Sequence, residues 1–524
     1  MTALDLSSPV AVVGTGTMGQ GIAQVALVAG HPVRLYDAVP GRAREAADGI
    51  VARLDRLVAK ERLTAADRDA ARARLRPVDD LAGLADCALV VEAVLERLDV
   101  KQELFRALED VVGDDCLLAT NTSSLSVTAI GGALRVPGRF VGLHFFNPAP
   151  LLPLVEVVSG FATEVAHATR AYETARAWGK TPVACADTPG FIVNRIARPF
   201  YAEAFAVYES QGADPATIDA VLRESGGFRM GAFELTDLIG QDVNESVTHS
   251  VWQAFFQDVR FTPSLAQRRL VESGRLGRKS GRGWYDYSDH SDHSARSGSG
   301  SGSDSDRTDG AGRFEPHTAE QAAPPAYVVA EGDLGPASDL LALIREAGIQ
   351  VRAEDEDNGT RLVLPGGGQL VLADGQTSVE FRDVVYFDLA LDYREAGRIA
   401  LSHSQDTSPQ TVAEATGLFQ ALGKKVSVIG DVPGMIVART VARIIDLAHE
   451  AVAKGVATEE DIDTAMRLGV NYPLGPLEWS RRLGGTWACS VLDNLHECDP
   501  SGRYAPSLAL YRHAYTSDKR EGTS

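Results

Sequence analysis

Two side chains in the first third of the chain have residue types and a spacing that suit proton transfer. His144 lies in the apolar run 141–146, and Glu156 follows twelve residues later in the run 154–158. Runs of aromatic and β-branched residues are typical of strands. A buried histidine and a buried carboxylate are unfavourable unless they pair, so we expect the two side chains to meet across neighbouring strands. Such a pair works as a general base with a carboxylate that orients it.

The N-terminal segment predicts what this base acts on. The apolar strand 10–13 runs into the turn GTGTMG at 14–19, a helical segment follows, and the next strand, 33–36, ends at Asp37. In this context the glycines allow a tight turn and the close approach of a pyrophosphate, while the helix N-terminus faces the anion. Asp37, 23 residues after Gly14, accepts from a ribose hydroxyl and repels a 2′-phosphate, which favours NAD over NADP. The alternative is a purely structural strand-to-helix turn.

Further polar residues come at or just after the ends of the predicted strands. Ligands of open parallel sheets bind beyond the carboxyl ends of the strands, so we expect these side chains at the same edge as His144. Any one of them alone is equally well explained as a cap or a turn residue. They are Glu96, Asn121, Ser123 and Asn147, with Lys101 in the helical segment after Glu96.

Two other segments could contact a ligand. From residue 187 to Gly240 the pattern is helical, and Asn194 lies in its first helix among apolar neighbours, where an amide needs partners in the fold or in a ligand. Residues 41–76 predict a charged helix whose basic cluster is either a solvated face or a phosphate contact for a substrate with a nucleotide tail. The glycine-rich basic loop 275–285, with Lys279, is likewise either exposed or in contact with phosphates. The basic cluster consists of Arg53, Arg56, Lys60 and Arg62.

Composition narrows the classes of function. The chain has 524 residues and a net charge of −20, which argues against non-specific nucleic-acid binding because that needs a basic face. The five cysteines are an odd number without metal-type spacing, so we expect no metal site and a reducing, cytoplasmic compartment. We see neither a secretory signal nor an apolar run near the roughly 20 residues that span a bilayer.

The second half contains an internal repeat. The segment DTPGFIVNR at 187–195 recurs as DVPGMIVAR at 431–439, and the offset of 244 between Asp187 and Asp431 also relates Glu234 to Glu478. The second copy has no glycine turn of the same spacing and no His/Glu couple, and Ala438 replaces Asn194. We therefore expect this copy to complete or mimic a dimer interface. A second contact with substrate is the alternative.

These patterns predict an α/β Rossmann-like domain, an all-α helical domain, a degenerate α/β segment and a second helical copy. The predicted bounds are 1–186 for the NAD-binding domain, 187–287 for the first helical domain, 288–325 for a flexible Ser/Gly/Asp linker, 326–430 for the degenerate Rossmann-like segment, 431–516 for the second helical copy and 517–524 for a tail.

A base at the nicotinamide end of an NAD site indicates hydride transfer coupled to proton transfer. His144 would take the proton of a substrate hydroxyl while hydride leaves the same carbon for NAD. Glu156 would fix the imidazole tautomer and stabilise the imidazolium. Ser123 and Asn194 can donate to the developing carbonyl. The substrate itself is not named by these residues.

The motifs resemble the 3-hydroxyacyl-CoA dehydrogenase family. The resemblance rests on VAVVGTGTMGQGIAQ, NTSSLSVTAI, GLHFFNPAPLLPLVEVV, DTPGFIVNRI and GRKSGRGWYDY, in that order over residues 9–287. It implies NAD-dependent oxidation of a (3S)-3-hydroxyacyl-CoA to the 3-oxoacyl-CoA, with His144 and Glu156 as the catalytic pair. Ser123 and Asn194 are implied as substrate contacts, and Lys60 and Arg53 as CoA contacts, although the family usually has a small polar residue where Arg53 stands. The implied NAD contacts are Gly14, Thr15, Gly16, Thr17, Met18, Gly19, Asp37, Glu96, Lys101, Ser123, Asn147 and Lys279.

The tandem copy, with GVNYPLGPLEW at 469–479, is similar to the two-copy bacterial branch of this family that is associated with phenylacetate catabolism. This implies 3-hydroxyadipyl-CoA or 3-hydroxybutyryl-CoA as the substrate, within fatty-acid β-oxidation or phenylacetate catabolism. It also implies either a homodimer or a monomer with an internal pseudo-dimer of helical domains. The insert at 288–312 departs from the family pattern.

Two other functions stay open at the level of sequence. A non-catalytic NAD-binding structural protein could use the same fold, although the complete set Ser123, His144, Glu156 and Asn194 argues against it. A dehydrogenase of free hydroxy acids would need a cation for the substrate carboxylate, commonly a catalytic lysine, and would not need the His/Glu couple.

Overall fold

The computed structural model describes residues 2–288, 315–354 and 360–521. Residues 289–314, which hold most of the stretch predicted as a flexible linker, lie outside the described residues. The chain divides into two compact units. The first comprises Met1–Arg195 and Ala451–Val470, and the second comprises Ile196–Glu450 and Asn471–Ser524.

The first 196 residues alternate strands with helices, as the sequence predicts. The strands are β1 (Val10–Val13), β2 (Val33–Tyr36), β3 (Leu75–Pro77), β4 (Leu89–Glu92), β5 (Leu117–Thr120), β6 (Phe140–Phe145), β7 (Leu154–Ser159) and β8 (Thr181–Ala186). The helices are α1 (Thr17–Ala29), α2 (Arg42–Ala59), α3 (Ala65–Arg74), α4 (Leu98–Glu109), α5 (Val127–Gly131), α6 (Val165–Ala177) and α7 (Val193–Ile196).

These strands form one sheet in the order β3-β2-β1-β4-β5-β6-β7-β8. Neighbours from β3 to β6 are parallel, β6 and β7 are antiparallel, and β7 and β8 are parallel. The central strands β1, β4, β5 and β6 are buried over their whole length, as expected when both faces of a parallel sheet are covered. The carboxyl ends of β1, β4, β5 and β6 therefore meet at one edge, where the predicted site residues follow.

Residues 198–272 form five helices of the second unit. They are α8 (Arg198–Glu209), α9 (Pro215–Glu224), α10 (Ala232–Ile239), α11 (Gln241–Ala254) and α12 (Leu265–Glu272). A buried polar centre joins them to the segment before residue 288. Asp219 accepts from the Tyr285 hydroxyl at 2.7 Å and from the backbone N–H groups of Phe233 and Glu234, each at 2.9 Å.

The second half builds a smaller sheet and another helical set. The elements are β9 (Tyr327–Glu331), α13 (Leu340–Glu346), β10 (Gln350–Glu354), β11 (Arg361–Val363), β12 (Gln369–Leu372), β13 (Val384–Phe387), β14 (Arg398–His403), α14 (Pro409–Ala421), β15 (Lys425–Ile429), α15 (Val437–Ala453), α16 (Glu459–Val470), α17 (Pro476–Leu483), α18 (Trp487–Cys498) and α19 (Leu508–Glu521). The strand order is β10-β9-β11-β12-β13-β14-β15. Residues 315–325, placed in the linker from sequence, are bonded to this sheet region, for example by Ala319 N–H to Val426 O at 2.8 Å.

The two copies exchange helices. In the first unit, the backbone N–H of Ala186, at the end of β8, donates to Val456 O at 2.8 Å, and α16 packs on β7 and β8. In the second unit, the equivalent Gly430 N–H donates to Gly212 O at 2.8 Å, and α9 packs on β14. Each helical copy thus supplies a helix to the sheet of the other copy.

The predicted fold class is confirmed, with a Rossmann-like sheet, a helical domain, a reduced second sheet and further helices. All five cysteines are free, and four of them are buried. Among the helices that the structure describes, none is both long and apolar enough to cross a membrane.

Candidate active site

His144 and Glu156 face each other across the antiparallel pair β6–β7. They are register partners, and His144 Nδ1 lies 2.6 Å from Glu156 Oε2. His144 is 5% exposed and Glu156 is fully buried. Because a carboxylate only accepts, Nδ1 donates, and Nε2 is the ring nitrogen that can accept a proton. Phe146 and Phe191 hold the ring in place, with centroids 4.5 and 5.8 Å from that of the imidazole.

The other oxygen of Glu156 fixes the segment that carries Asn194. Glu156 Oε1 accepts from the backbone N–H groups of Ile192 at 3.1 Å and Val193 at 2.9 Å, where α7 begins. These N–H groups have no partner within a helix, so the carboxylate caps α7 while it orients His144. Asn194 is the second residue of α7 and is half-buried. The structure thus places Asn194 directly after the two residues whose N–H groups are bonded to Glu156.

The loop after β5 is bonded to Glu96. Glu96 Oε1 accepts from the backbone N–H groups of Ser123 at 3.0 Å and Ser124 at 3.1 Å, and from the Thr122 hydroxyl at 2.5 Å. Burial alone would raise the pKa of Glu96, but Lys101 and these hydrogen bonds hold it below its ordinary value. Glu96 and Ser123 therefore lie together, as the carboxyl-end rule predicts.

A further hydrogen bond connects the same loop to the strand of His144. Asn121, the first residue after β5, accepts the N–H of Phe145 with Oδ1 at 2.9 Å. Phe145 directly follows His144 in β6. This hydrogen bond therefore connects the Ser123 loop to the His144 strand. Asn147, another predicted site residue, is exposed just beyond the end of β6.

The glycine turn has the shape that a pyrophosphate needs. Gly14 has φ +92°, and a Cβ there would lie 2.6 Å from Ala93 O, while a Cβ on Gly19 would lie 1.8 Å from Gly14 O. At Gly16 a Cβ would meet nothing within 4 Å. Gly16 caps α1 without a side-chain hydrogen bond, so the first N–H groups of this helix are open to an anion. The turn is tight where strand and helix meet and open where a phosphate would approach.

Asp37 closes this turn from the end of β2. Its Oδ2 accepts from the Thr15 backbone N–H at 2.9 Å and the Thr15 hydroxyl at 2.7 Å, and Oδ1 accepts from the N–H of Val39 at 3.0 Å. Burial by itself would raise the pKa of Asp37, but the bonds from Thr15 and Val39 keep it below the ordinary value. An ionised carboxylate at this place accepts from a ribose hydroxyl and repels a phosphate. The residues present therefore fit NAD.

The predicted basic cluster lines a groove of about 400 Å³ within the first unit. Arg53 donates to Gln24 Oε1 at 3.0 Å and to Gln20 Oε1 at 2.9 Å, while its Nη2 is buried without a hydrogen-bond partner in the described structure. Lys60 is exposed at the end of α2. The facing wall is the segment 147–151. The groove thus joins cations on α2 to the loop that follows His144.

Lys279 is the one predicted cofactor residue that belongs to the second unit. Its Nζ lies 2.5 Å from Asp242 Oδ1, and both side chains are partly exposed. All the other predicted site residues, including Thr17 and Met18 at the start of α1, belong to the first unit.

The second copy has different residues at the positions of His144 and Glu156. At the offset of 244, Asp388 takes the place of His144 and Ala400 that of Glu156, and the N–H of Asp388 donates to Ala400 O at 3.0 Å. Asp388 caps α15 by accepting from the N–H groups of Ile436 at 3.0 Å and Val437 at 2.8 Å. The helix cap is kept, but the carboxylate now comes from the histidine's strand. Among the described residues of this copy, the imidazole has no counterpart.

One buried acid was missed when the site was predicted from sequence. Glu92, the last residue of β4, is fully buried, and Lys101 Nζ lies 2.5 Å from its Oε1. The argument that flagged Glu156, a carboxylate inside an apolar run, applies equally to Glu92. Lys101, nine residues later, could have been recognised as its partner.

Comparison with protein families matches most of the chain. The NAD binding domain of 3-hydroxyacyl-CoA dehydrogenase matches residues 9–188, and the C-terminal domain of that family matches 190–287 and again 434–522. The 3-hydroxybutyryl-CoA dehydrogenase reduced Rossmann-fold domain matches 370–433. The second match of the C-terminal domain agrees with the internal repeat.

Similar proteins with names were found at high coverage. A 3-hydroxyadipyl-CoA dehydrogenase of Escherichia coli (strain K12) is 44% identical over 506 residues, which are 96% of this chain and 97% of that protein. A 3-hydroxybutyryl-CoA dehydrogenase of Mycobacterium tuberculosis is 38% identical over 54% of this chain and 99% of its own length. The crystal structure of a 3-hydroxybutyryl-CoA dehydrogenase from Escherichia coli superposes with a TM-score of 0.85 at 41% identity, covering 99% of this chain and 100% of that one.

Proposed function

The chain belongs to the 3-hydroxyacyl-CoA dehydrogenase family and is an NAD-dependent oxidoreductase of 3-hydroxyacyl-CoA, and from this premise we propose that a single site built on His144 and Glu156 carries the reaction. The reaction converts the 3-hydroxyl group of a (3S)-3-hydroxyacyl-CoA reversibly into the 3-oxo group. The observation that carries this proposal is the 2.6 Å contact between His144 Nδ1 and Glu156 Oε2.

The protein's own residues do the following in oxidation. Nε2 of His144 takes the proton of the 3-hydroxyl group, and Glu156 stabilises the imidazolium that results. The hydroxyls and amides of Ser123 and Asn194 donate to the substrate oxygen as it becomes a carbonyl. NAD, when bound, accepts the hydride that leaves C3 as the C3–O bond becomes a double bond. In the reverse direction His144 returns the proton.

We assign the cofactor contacts to the turn 14–19 and to the residues around it. Phosphates would lie over Gly16 at the start of α1, and the adenosine ribose against Asp37. The support comes from the open side of Gly16 and from the bonds that aim Asp37 at the turn. Glu96, Lys101, Ser123 and Asn147 complete the proposed set in the first unit, and Lys279 is proposed as an NAD contact on the family resemblance alone.

We assign the CoA part of the substrate to the basic groove. The buried Nη2 of Arg53 lacks a partner among the described residues, and a phosphate oxygen would satisfy it. Lys60 adds a second cation at the same groove. The adjacent wall at 147–151 begins three residues after His144, so a thioester could extend from this groove to the base.

The acyl group is proposed from the relatives. The relative that matches almost the whole chain is named a 3-hydroxyadipyl-CoA dehydrogenase, and others are named 3-hydroxybutyryl-CoA dehydrogenases. We propose 3-hydroxyadipyl-CoA or 3-hydroxybutyryl-CoA as the substrate, in phenylacetate catabolism or fatty-acid β-oxidation. We also propose a cytoplasmic location, which the five free cysteines support.

We propose the same domain boundaries as from the sequence, with segments at 1–186, 187–287, 288–325, 326–430, 431–516 and 517–524.

We further propose that the second copy replaces a dimer partner, so that the chain is a monomer with an internal pseudo-dimer. The exchange of α9 and α16 supports this, because each sheet obtains its covering helix from the other copy. Light scattering during size-exclusion chromatography should give the mass of one chain, and a mass of two chains would refute the proposal.

The proposed reaction and acyl group are tested by one panel of substrates. NADH oxidation is followed with acetoacetyl-CoA, and NAD reduction with 3-hydroxybutyryl-CoA, longer 3-hydroxyacyl-CoA thioesters, 3-hydroxyadipyl-CoA and free 3-hydroxybutyrate. We expect turnover of the thioesters, the highest kcat/KM for one of the two named compounds, and no turnover of the free acid. Turnover of the free acid alone, or of none of these compounds, would contradict the proposal.

A further inference from the structure

A fully buried carboxylate lies behind the loop that carries Ser123. Glu92 ends β4 with no exposed surface, and Lys101 of α4 is 1% exposed. Glu92 Oε1 lies 2.5 Å from Lys101 Nζ and accepts from the N–H of Val94 at 2.7 Å, while Oε2 accepts from the Thr120 hydroxyl at 2.6 Å. A buried ion pair persists only when its remaining lone pairs and protons are also bonded, as they are here.

Two routes of hydrogen bonds lead from Glu92 to the Ser123 loop. In the first, Lys101 Nζ lies 3.2 Å from Glu96 Oε2, and the other oxygen of Glu96 accepts the Ser123 N–H at 3.0 Å. In the second, the Thr120 hydroxyl, bonded to Glu92, accepts the Thr122 N–H at 3.2 Å. Both routes end on the backbone next to the Ser123 hydroxyl.

The surroundings of Lys101 limit what this residue can do. Its ammonium group lies between two carboxylates and is almost completely enclosed. A cation in that position neutralises Glu92 and holds Glu96 in place. Glu96 lies in the segment between β4 and α4 and its Oε2 is paired with Lys101, so the position of its carboxylate depends on where Lys101 Nζ is held. Glu92 is the group that holds it.

We propose that Glu92 is a positioning residue for hydride transfer, which acts through Lys101 and Glu96 to aim the Ser123 hydroxyl at the substrate oxygen. Glu92 has no exposed surface through which it could touch substrate or NAD. The proposal rests on the role given above to Ser123 and adds the residue on which that role depends. When Glu92 loses its charge, Glu96 is the only carboxylate left to pair with Lys101. We expect Lys101 then to move towards Glu96, which shifts Glu96 and with it the Ser123 N–H.

The test is a double-mutant cycle between Glu92→Gln and Ser123→Ala in the full chain, read as kcat with saturating NADH and acetoacetyl-CoA. We expect Glu92→Gln to lower kcat about tenfold in the wild-type background and less than twofold in the Ser123→Ala background, because the hydroxyl it positions is then absent. An equal loss in both backgrounds, or no loss in either, would overturn the proposal. A wild-type kcat for Ser123→Ala alone would overturn the role of Ser123 as well.

A matched control separates positioning from simple destabilisation. Glu109 is 5% exposed at the other end of α4, where it accepts from the N–H groups of Arg135 at 2.8 Å and Val136 at 2.9 Å. Glu109→Gln should lower the thermal midpoint and leave kcat within twofold of wild type. If Glu92→Gln does not fold, Glu92→Asp, which keeps the charge but shortens the side chain, enters the same cycle with the same expected factors. A kcat loss in Glu109→Gln as large as in Glu92→Gln would refute the positioning role.

Discussion

At the residue scale, Glu156 links chemistry to structure because its two oxygens do different work. One oxygen receives the Nδ1 proton of His144, and the other caps α7 through the N–H groups of Ile192 and Val193. The imidazole is therefore held in one tautomer by a group that the helix itself fixes in place. In the second copy Asp388 performs only the capping. The cap of the helix is thus present in both copies, whereas the imidazole to which we assign the proton transfer is present only in the first.

Asp37 gives a prediction about the cofactor. Asp37→Ala removes an acceptor for a ribose hydroxyl and the bonds to Thr15 that shape the turn. A hydrogen bond to a charged group contributes roughly 1.5–3 kcal/mol, so we expect KM for NAD to rise about tenfold or more and the preference for NAD over NADP to fall. Initial rates with both cofactors measure this. The exposed Asp79→Ala serves as the control, and an unchanged NAD/NADP ratio in Asp37→Ala would contradict the assignment.

At the element scale, most of the site was predictable because it follows from strand order. The glycine turn, Asp37, Glu96 and Ser123 all come after carboxyl ends of parallel strands, and the rule for such sheets places them at one edge. The pairing of His144 with Glu156 followed from the energetic need of two buried polar groups to find each other. Strand order and the burial of two polar side chains were therefore enough to predict these features from the sequence.

Other parts of the site could not be predicted from the same rules. The cap of α7 by Glu156 and the ion pair of Glu92 with Lys101 depend on which oxygen meets which N–H or ammonium group in three dimensions. The exchange of α9 and α16 between the two sheets depends on contacts between segments more than 170 residues apart in sequence. The repeat indicated that an interface exists, but not which helix covers which strand.

The helices α15 and α17 give a prediction about stability and pH. His449 Nε2 shares a hydrogen bond with the Ser480 hydroxyl at 2.8 Å, and its ring packs against that of His513 with centroids 4.2 Å apart and planes tilted by 33°. Burial, with His513 and Arg481 nearby, lowers the pKa of His449 to about 4 from the model-compound value of 6.5. As pH falls, the unfolded chain therefore binds this proton before the folded chain does. The contribution of neutral His449 to the free energy of unfolding is complete above pH 6.5 and is lost progressively as pH falls from 6.5 towards 4.

The expected loss of unfolding free energy due to His449 between pH 6.5 and 4 is on the order of 3 kcal/mol, at about 1.4 kcal/mol per pKa unit. Urea unfolding of the full chain at several pH values between 7 and 4 measures it, with His449→Gln as the matched variant that cannot titrate. We expect wild type to lose more stability than His449→Gln across this window. Equal losses in both proteins would show that His449 does not carry the effect.

At the scale of the whole molecule, the second copy supports the first sheet directly. In α16, a Cβ on Gly469 would lie 2.8 Å from Leu154 Cδ2 and 3.0 Å from Val193 Cγ2. Leu154 begins β7, the strand of Glu156, and the N–H of Val193 is bonded to Glu156. A residue more than 300 positions away from His144 in sequence is thus in contact with the elements that hold the catalytic pair.

This contact predicts that a substitution in the second copy reaches the active site. Gly469→Leu overpacks the contact at a cost of about 1–3 kcal/mol, so the thermal midpoint should fall and kcat should fall several-fold as Val193 and Glu156 shift. Gly113→Leu is the control, because a Cβ there meets nothing within 4 Å, and it should leave kcat unchanged. A Gly469→Leu protein with the thermal midpoint and kcat of wild type would show that the second copy does not support the site.

The most direct test of a single catalytic base compares one position in the two copies. The kcat for acetoacetyl-CoA-dependent NADH oxidation is measured for wild type, His144→Gln and Asp388→Asn, with NADH affinity measured separately by fluorescence. We predict that His144→Gln loses a factor of about 10² or more in kcat, as expected for a lost general base, while NADH still binds. Asp388→Asn should lower the thermal midpoint and keep kcat near that of wild type. An unchanged kcat in His144→Gln, or an equal loss in Asp388→Asn, would contradict a single active site with His144 as its base.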